Sequence, residues 1–243
     1  MDLLESGVEN RHPWELSRGD CVLKLIMSNS LKEAKTICDI GSGDMYFSNI
    51  LAEKFNSQIY AVDTGYEEIP LAINSRITRM NNISQIDDDT VDIAVLMDVL
   101  EHVKKPDDFL KQVVAKCTQG ASLYLTVPAF QHLFSSHDTF LKHHRRYNKS
   151  LLKEHLVGGG VEIENIFYFY SILYIPRLIQ LLLSKAGNRD HSMAKNVTTW
   201  GYSESSAITT IMRKFLNLDF RINELARKWP FGLSLCAVCR VNK

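Results

Sequence analysis

Short apolar runs alternate with helical stripes through the first half of the chain. Thr36–Ile40 is apolar or β-branched at most positions, as a buried parallel strand requires. Phe47, Ile50, Leu51 and Phe55 then fall at i, i+3, i+4 and i+8, one face of a helix. Gln58–Asp63 reads as a second strand ending in a carboxylate, and Ile77–Met80 as a short third. Val91–Met97 is an apolar strand. Pro106-Asp107 opens a helix with the face Phe109, Leu110, Val113, Val114 and Cys117, closing at Gly120. Ser122–Val127 is the next strand, stopped by Pro128. Strands alternating with helices at this spacing predict an α/β fold with a doubly wound parallel sheet.

The flanks extend that core. Val22, Leu23, Ile26 and Met27 give a helical stripe within residues 1–30, preceded by Trp14 and Arg18, which are placed to form a lid. The core spans 31–170 and includes a loop at 130–150. Leu151–Leu156 is a short helix, Gly158-Gly159-Gly160 a flexible break, and Val161–Tyr170 a sixth strand. Residues 171–230 form a helical insertion with helices near 175–185 and 206–228. The polar 186–203 linker between them is expected to lack order. The last strand lies in 231–243, so the whole of 1–243 reads as one domain, within the size a single core supports.

Composition removes several functional classes. Lys plus Arg and Asp plus Glu number 28 each, so no global charge points to nucleic acid. The five cysteines suggest no disulfide framework, and a reducing cytosol is the expected compartment. Cys236 and Cys239 are three apart in a strand and therefore face opposite sides, which argues against a metal or redox pair. Consecutive Asp87, Asp88 and Asp89 do not converge on one point and read as a solvated turn, so no metal is expected. The acidic, polar start lacks a signal-peptide pattern. The apolar run Ile166–Leu183 is broken by Ser171, Pro176, Arg177 and Gln180 and does not read as a membrane span.

The chemistry concentrates at strand ends. In a doubly wound sheet, ligands bind outside the carboxyl ends of the strands, where Gly41, Asp63, Asp98 and Pro128 all lie. Gly41 and Gly43 permit a sharp turn before a helix start, whose N–H groups face whatever sits above it. Asp63 follows Gly43 by 20 residues, the distance at which an acid in βαβ nucleotide folds meets ribose hydroxyls. A dinucleotide turn needs a third glycine where this chain has Tyr46. The acids Asp39, Asp44 and Asp98 also suit a cationic ligand better than a pyrophosphate. S-adenosylmethionine, with a sulfonium and an ammonium, fits these residues better than NAD.

Asp39-Ile40-Gly41-Ser42-Gly43 resembles motif I of the class I S-adenosylmethionine-dependent methyltransferases. Asp63 matches the ribose-binding acid of that family, and Val91–His102 is similar to the fourth-strand signature of its small-molecule branch. The resemblance implies a Rossmann-like seven-stranded sheet, mostly parallel with an antiparallel last strand. It implies cofactor contacts from Asp39, Gly41, Ser42, Gly43, Asp63, Thr64, Met80, Asn81, Asp98, Val99 and His102. One departure is Met45, where the family usually carries a glycine. Thr126–Phe130, Ser136-His137-Asp138 and His144–Tyr147, with His12, Trp14, Arg18 and 230–234, look like a bacterial subgroup associated with polysaccharide and cell-envelope biosynthesis.

Methyl transfer requires a nucleophile held close and aligned, and a hydroxyl nucleophile also requires a base. Four of the chain's eight histidines fall in 130–150. His137 or His144, oriented by Asp138, are the candidate catalytic groups. Trp14, Arg18, Arg145, Arg146 and Tyr147 are candidate substrate contacts, the arginines as clamps for a phosphate or carboxylate. The alternative is that His137-Asp138 and Arg146-Tyr147 fold the loop on itself. The expected acceptor is a small molecule or a glycan- or lipid-linked compound, methylated at oxygen. The expected protein is a monomer or homodimer with peripheral membrane contact through 166–183. A cofactor-binding, non-catalytic relative and an NAD-dependent oxidoreductase are the competing readings.

Overall fold

The computed structural model describes residues 11–29, 34–67, 71–186, 207–226 and 229–243, with side chains of 184–186 excepted. In chain order the elements are α1 (Pro13–Asn29), β1 (Thr36–Ile40), α2 (Tyr46–Lys54), β2 (Gln58–Val62), β3 (Leu71–Ala72) and β4 (Ile77–Met80). There follow β5 (Val91–Met97), α3 (Pro106–Lys116), β6 (Cys117–Pro128), α4 (Ser136–Phe140) and α5 (Lys149–Gly158). The chain closes with β7 (Val161–Phe169), α6 (Tyr174–Ala186), α7 (Ala207–Ala226) and β8 (Ser234–Val241).

The eight strands form one sheet in the order β3-β4-β2-β1-β5-β6-β8-β7. The pairs from β4 through β6 are parallel, and β8 inserts antiparallel between β6 and β7. The doubly wound, mostly parallel architecture with an antiparallel last strand is therefore as expected. The strand count is not. The additional strand is the exposed pair Leu71–Ala72, antiparallel to β4 at the edge. Two residues are too short to carry a period-2 pattern.

Each face of the sheet buries its own apolar layer. On one side Val22, Leu25 and Ile26 of α1, Phe47 and Leu51 of α2, and Leu216 and Phe220 of α7 meet Ile37, Val95 and Phe169. On the other, Leu110 and Val113 of α3 and Leu152 and Leu156 of α5 meet Cys38, Leu96 and Leu125. Cys236 lies in the first layer and Cys239 in the second, as their three-residue spacing on a strand dictates. Both are buried and free.

Three expectations are corrected. Helix α3 ends at Lys116, and Cys117 already belongs to β6, where it pairs with Val91. Gly158 closes α5 rather than forming a flexible break, and a Cβ on Gly159 would meet Leu110 at 2.4 Å, so this turn is packed. The aromatic run of the proposed membrane stretch is partly internal. Phe167, Tyr168 and Tyr170 are buried, whereas Ile175, Ile179 and Leu182 of α6 are exposed. The 186–203 linker falls, from residue 187 on, outside the described residues.

Candidate active site

The glycine turn sits over the carboxyl end of β1 and is pinned from β2. Gly41 and Ser42 donate backbone hydrogen bonds to the Val62 carbonyl at 2.8 and 3.1 Å. Gly41 has φ +76°, and a Cβ there would stand 2.5 Å from Val99 Cγ2. Only glycine satisfies both conditions. Met45, at the position where the family carries glycine, takes the same left-handed region at φ 65°. The turn thus keeps its geometry at the cost of backbone strain.

Asp63 ties the ends of β1 and β2 together. Its carboxylate accepts from Gly43 N at 3.0 Å and from Gly65 N at 2.9 Å. Among the described residues it has no ion-pair partner, and unused lone pairs remain for a ligand. Thr64 is exposed beside it. Asp39 lies lower. It is buried, accepts from Ser48 Oγ at 2.6 Å, and supports the turn from beneath. Burial raises its carboxyl to about 6, reinforced by Asp63 and partly offset by the Ser48 hydrogen bond. Met80 is buried at the end of β4, and Asn81 donates its N–H to Gln85 Oε1.

Asp98 closes the opposite side. It adopts φ 55° just past β5, held by a backbone bond to the Thr126 carbonyl and by Thr126 Oγ1 on its carboxylate at 3.0 Å. Strained backbone fixed by its surroundings is characteristic of ligand sites. Arg18 of α1 pairs with the same carboxylate, and Arg11 pairs with Asp44 while lying over the Tyr46 ring. Arg18 of α1 and Arg11, just ahead of that helix, therefore strap the crevice through two ion pairs. Trp14 stacks on His12 at a ring separation of 3.6 Å, and its carbonyl accepts from the Tyr170 hydroxyl. Burial lowers His12 to about 4, so that ring is neutral near pH 7.

The 130–150 loop is organised differently from the expectation. Asp138 is fully buried and is the anchor of the loop. It accepts from Arg146 Nε at 2.7 Å and Nη2 at 3.0 Å, from His143 Nδ1 at 2.9 Å, and from Ser135 N and Oγ. Burial alone would raise its carboxyl, but the His143 and Arg146 hydrogen bonds outweigh this and hold it well below the usual range. Asp138 thus orients His143, not His137 or His144. His144 is exposed and its backbone N–H donates to the Glu101 carbonyl at 2.8 Å. His137 is half-buried, and desolvation lowers its pKa.

The expected substrate clamps hold the protein itself. Arg145 donates to the carbonyls of Val103 and Lys104 at 2.7 and 3.0 Å. Arg146 forks onto Asp138. Tyr147 is fully buried with its hydroxyl on the Leu100 carbonyl. Together they fasten the loop to the segment after β5. That segment carries Val99, packed against Gly41, and the exposed His102.

The methyltransferase-domain family profile matches residues 18–156, more than half of the chain. The chain belongs to this family. No curated protein gives a significant match to its sequence. Solved structures share the fold. The phosphoethanolamine N-methyltransferase 2 of Haemonchus contortus, in complex with phosphomonomethylethanolamine and S-adenosylhomocysteine, superposes at TM-score 0.55 and 14% identity. The alignment covers 93% of this chain but 52% of that one, so the chain spans about half the length of that enzyme. A geranyl diphosphate methyltransferase in complex with S-adenosylmethionine gives TM-score 0.59 at 8% identity, over 93% of this chain and 85% of that one. The [4+2]-cyclase SpnF gives 0.59 at 15%, over 97% and 87%.

Within this methyltransferase domain, two side chains were missed by sequence reasoning. Tyr66 lies over the glycine turn, its hydroxyl bonded to the Gly43 carbonyl and 3.0 Å from Ser42 Oγ. It falls in the weakly patterned 64–89 segment, where no periodicity marks it. The sequence points to His144, whereas His143 is the imidazole that meets Asp138. In a His-His-Arg-Arg run, only the fold tells which imidazole turns inward.

Proposed function

We propose that the protein is an S-adenosylmethionine-dependent methyltransferase acting on a small-molecule or glycan- or lipid-linked acceptor at oxygen. The observation that carries this reading is Asp63 at the end of β2, which holds Gly43 N of the glycine turn and keeps lone pairs unused beside it. The donor set suits an adenosyl compound: Asp63 keeps unused lone pairs for ribose hydroxyls, while Asp98 and Asp44, paired here with Arg18 and Arg11, line the rim around it. The strained Asp98 backbone marks the same side as the ligand-binding one. Bound S-adenosylmethionine would supply an electrophilic methyl group.

The chain's own residues would do the rest. Asp63 and the Gly41–Gly43 backbone hold the adenosyl part, and Tyr66 and α1 exclude water over it. The 130–150 loop bounds the acceptor side, where alignment is the main requirement. His137 and His144 are the proposed groups to take a proton from an acceptor hydroxyl, and His143, whose Nδ1 is held by Asp138, keeps its Nε2 for the same side of the crevice. The enzyme is read as cytoplasmic, monomeric or homodimeric, with peripheral membrane contact through the exposed apolar residues of α6. Among the described residues, no helix is long and apolar enough to cross a membrane.

The test is calorimetric titration of the protein with S-adenosylhomocysteine and, separately, NAD. Binding of the first and not the second is expected, and the reverse would overturn the reading. Turnover of tritiated S-adenosylmethionine with candidate acceptors then separates the enzyme from a non-catalytic relative. The cyclase that shares this fold makes that second step necessary.

A further inference from the structure

Among the described residues, one fully buried carboxylate serves neither the fold nor the cofactor site. Glu101 is fully buried, and both carboxylate oxygens lack any hydrogen-bond partner. An unpartnered buried carboxylate is costly, and structures keep such groups for a ligand, a proton or an ion. Burial, reinforced by the Asp98 carboxylate, pushes the Glu101 carboxyl well above the usual range.

Two imidazoles converge on it. One ligating atom each of Glu101, His102 and His143 lies within 4.8 Å of the other two. The His102 and His143 rings meet edge to face at 4.7 Å. His143 Nδ1 is engaged by Asp138, which leaves Nε2 to carry the lone pair. A carboxylate on the far nitrogen is the arrangement that orients metal-ligating histidines. Arg146 in turn fixes Asp138. The segments that bring the three together are fastened by His144 N on the Glu101 carbonyl and by Arg145 on Val103 and Lys104.

We propose that Glu101, His102 and His143 bind a divalent transition-metal ion of the zinc, iron(II) or manganese(II) class on the acceptor side of the crevice. Two imidazoles and one carboxylate select such borderline ions over magnesium or calcium, which favour all-oxygen sites. Ligand bonds of about 2.1 Å put tetrahedral donor atoms about 3.4 Å apart, so side-chain closure of about 1 Å completes the site. Three protein ligands leave a position open. His102 is exposed, so that position faces solvent. On the methyltransferase reading, an acceptor oxygen would occupy it and be polarised there. Binding of the ion itself does not rest on that reading. No local motif marks this site, because Glu101 and His143 are 42 residues apart.

The experiment uses the full chain, freed of metal by a chelator and titrated with cobalt(II) as the spectroscopic probe, then competed with zinc. One equivalent with visible ligand-field bands is expected, displaced by zinc. Glu101→Gln, nearly isosteric and neutral, should weaken cobalt binding at least tenfold, as should His143→Ala, while His155→Ala should not. S-adenosylhomocysteine binding on the same samples reports the fold and the cofactor site separately. Cobalt binding of equal affinity in wild type and Glu101→Gln would overturn the proposal. So would the absence of ligand-field bands from wild-type protein that still binds S-adenosylhomocysteine.

Discussion

On the glycine-turn side of the crevice, Gly41, Asp63 and Asp98 come from three strand ends, and main-chain hydrogen bonds fix each of them. On the loop side, Asp138, His143 and Arg146 come from one connection and hold one another through side chains. The first arrangement follows from sheet topology, since parallel strands must end together. The second depends on a single buried carboxylate. A site built on main-chain bonds tolerates loss of a side chain in its frame, whereas one built around a buried charge does not.

The largest expected effect follows from that difference. Asp138→Ala strands the Arg146 guanidinium, whose side chain is 10% exposed, without its partner. Breaking such a buried pair costs about 3–5 kcal/mol. Urea unfolding measures this loss. The S-adenosylhomocysteine dissociation constant of the remaining folded protein should stay within about threefold, because RT ln 3 is well under 1 kcal/mol. A small stability loss, or a large loss of cofactor affinity, would mean that the two sides are not separately built.

How much was legible beforehand divides along the same line. The geometry of the glycine turn was readable because its determinants are local. A strand, two glycines and an acid 20 residues later are a fixed-offset pattern that topology converts into geometry. Met45 itself sits in the left-handed region, held there by backbone bonds to Ser42 and, through Gly41 and Ser42, to Val62. The loop side showed only its residue types. His, Asp and Arg marked it as chemically dense, but which imidazole meets Asp138 depends on how α4 and its capping box turn the chain. Arg145, Arg146 and Tyr147 looked like substrate contacts because exposed charge and a buried clamp look alike in sequence. The eighth strand and Tyr66 went unseen for want of any period.

The next effect is a pH dependence on the cofactor side. The Asp39 carboxyl is raised from 3.8 to about 6 in the fold. The folded state therefore binds its proton more tightly than the unfolded state does. The stabilisation is complete below about pH 4, is lost as pH rises through about 6, and stays lost above. Two pKa units correspond to about 3 kcal/mol in total, of which about 2 should appear between pH 4.5 and 7. Asp39→Asn removes the titration, so the difference in unfolding free energy between it and wild type should shift by that amount. A difference that does not change with pH would show that Ser48 suffices to hold the charged form.

The smallest effect is the most diagnostic of the cradle. Asp63→Ala should weaken S-adenosylhomocysteine binding by about 1–3 kcal/mol, the range for lost hydrogen bonds to a charged group. Asp63 also holds Gly43 N and Gly65 N, so alanine loosens the turn as well as removing a ligand contact. The two contributions separate by ligand. Methylthioadenosine keeps the ribose but lacks the amino acid part. If Asp63 acts on the ribose, both ligands should lose affinity equally, whatever happens to the melting temperature. If it acts only on the turn, the loss should follow the melting temperature and differ between the two. Equal losses would make Asp63 a ligand contact in its own right. An unchanged dissociation constant would leave it as the brace between β1 and β2 and return the ribose to the backbone N–H groups of the turn.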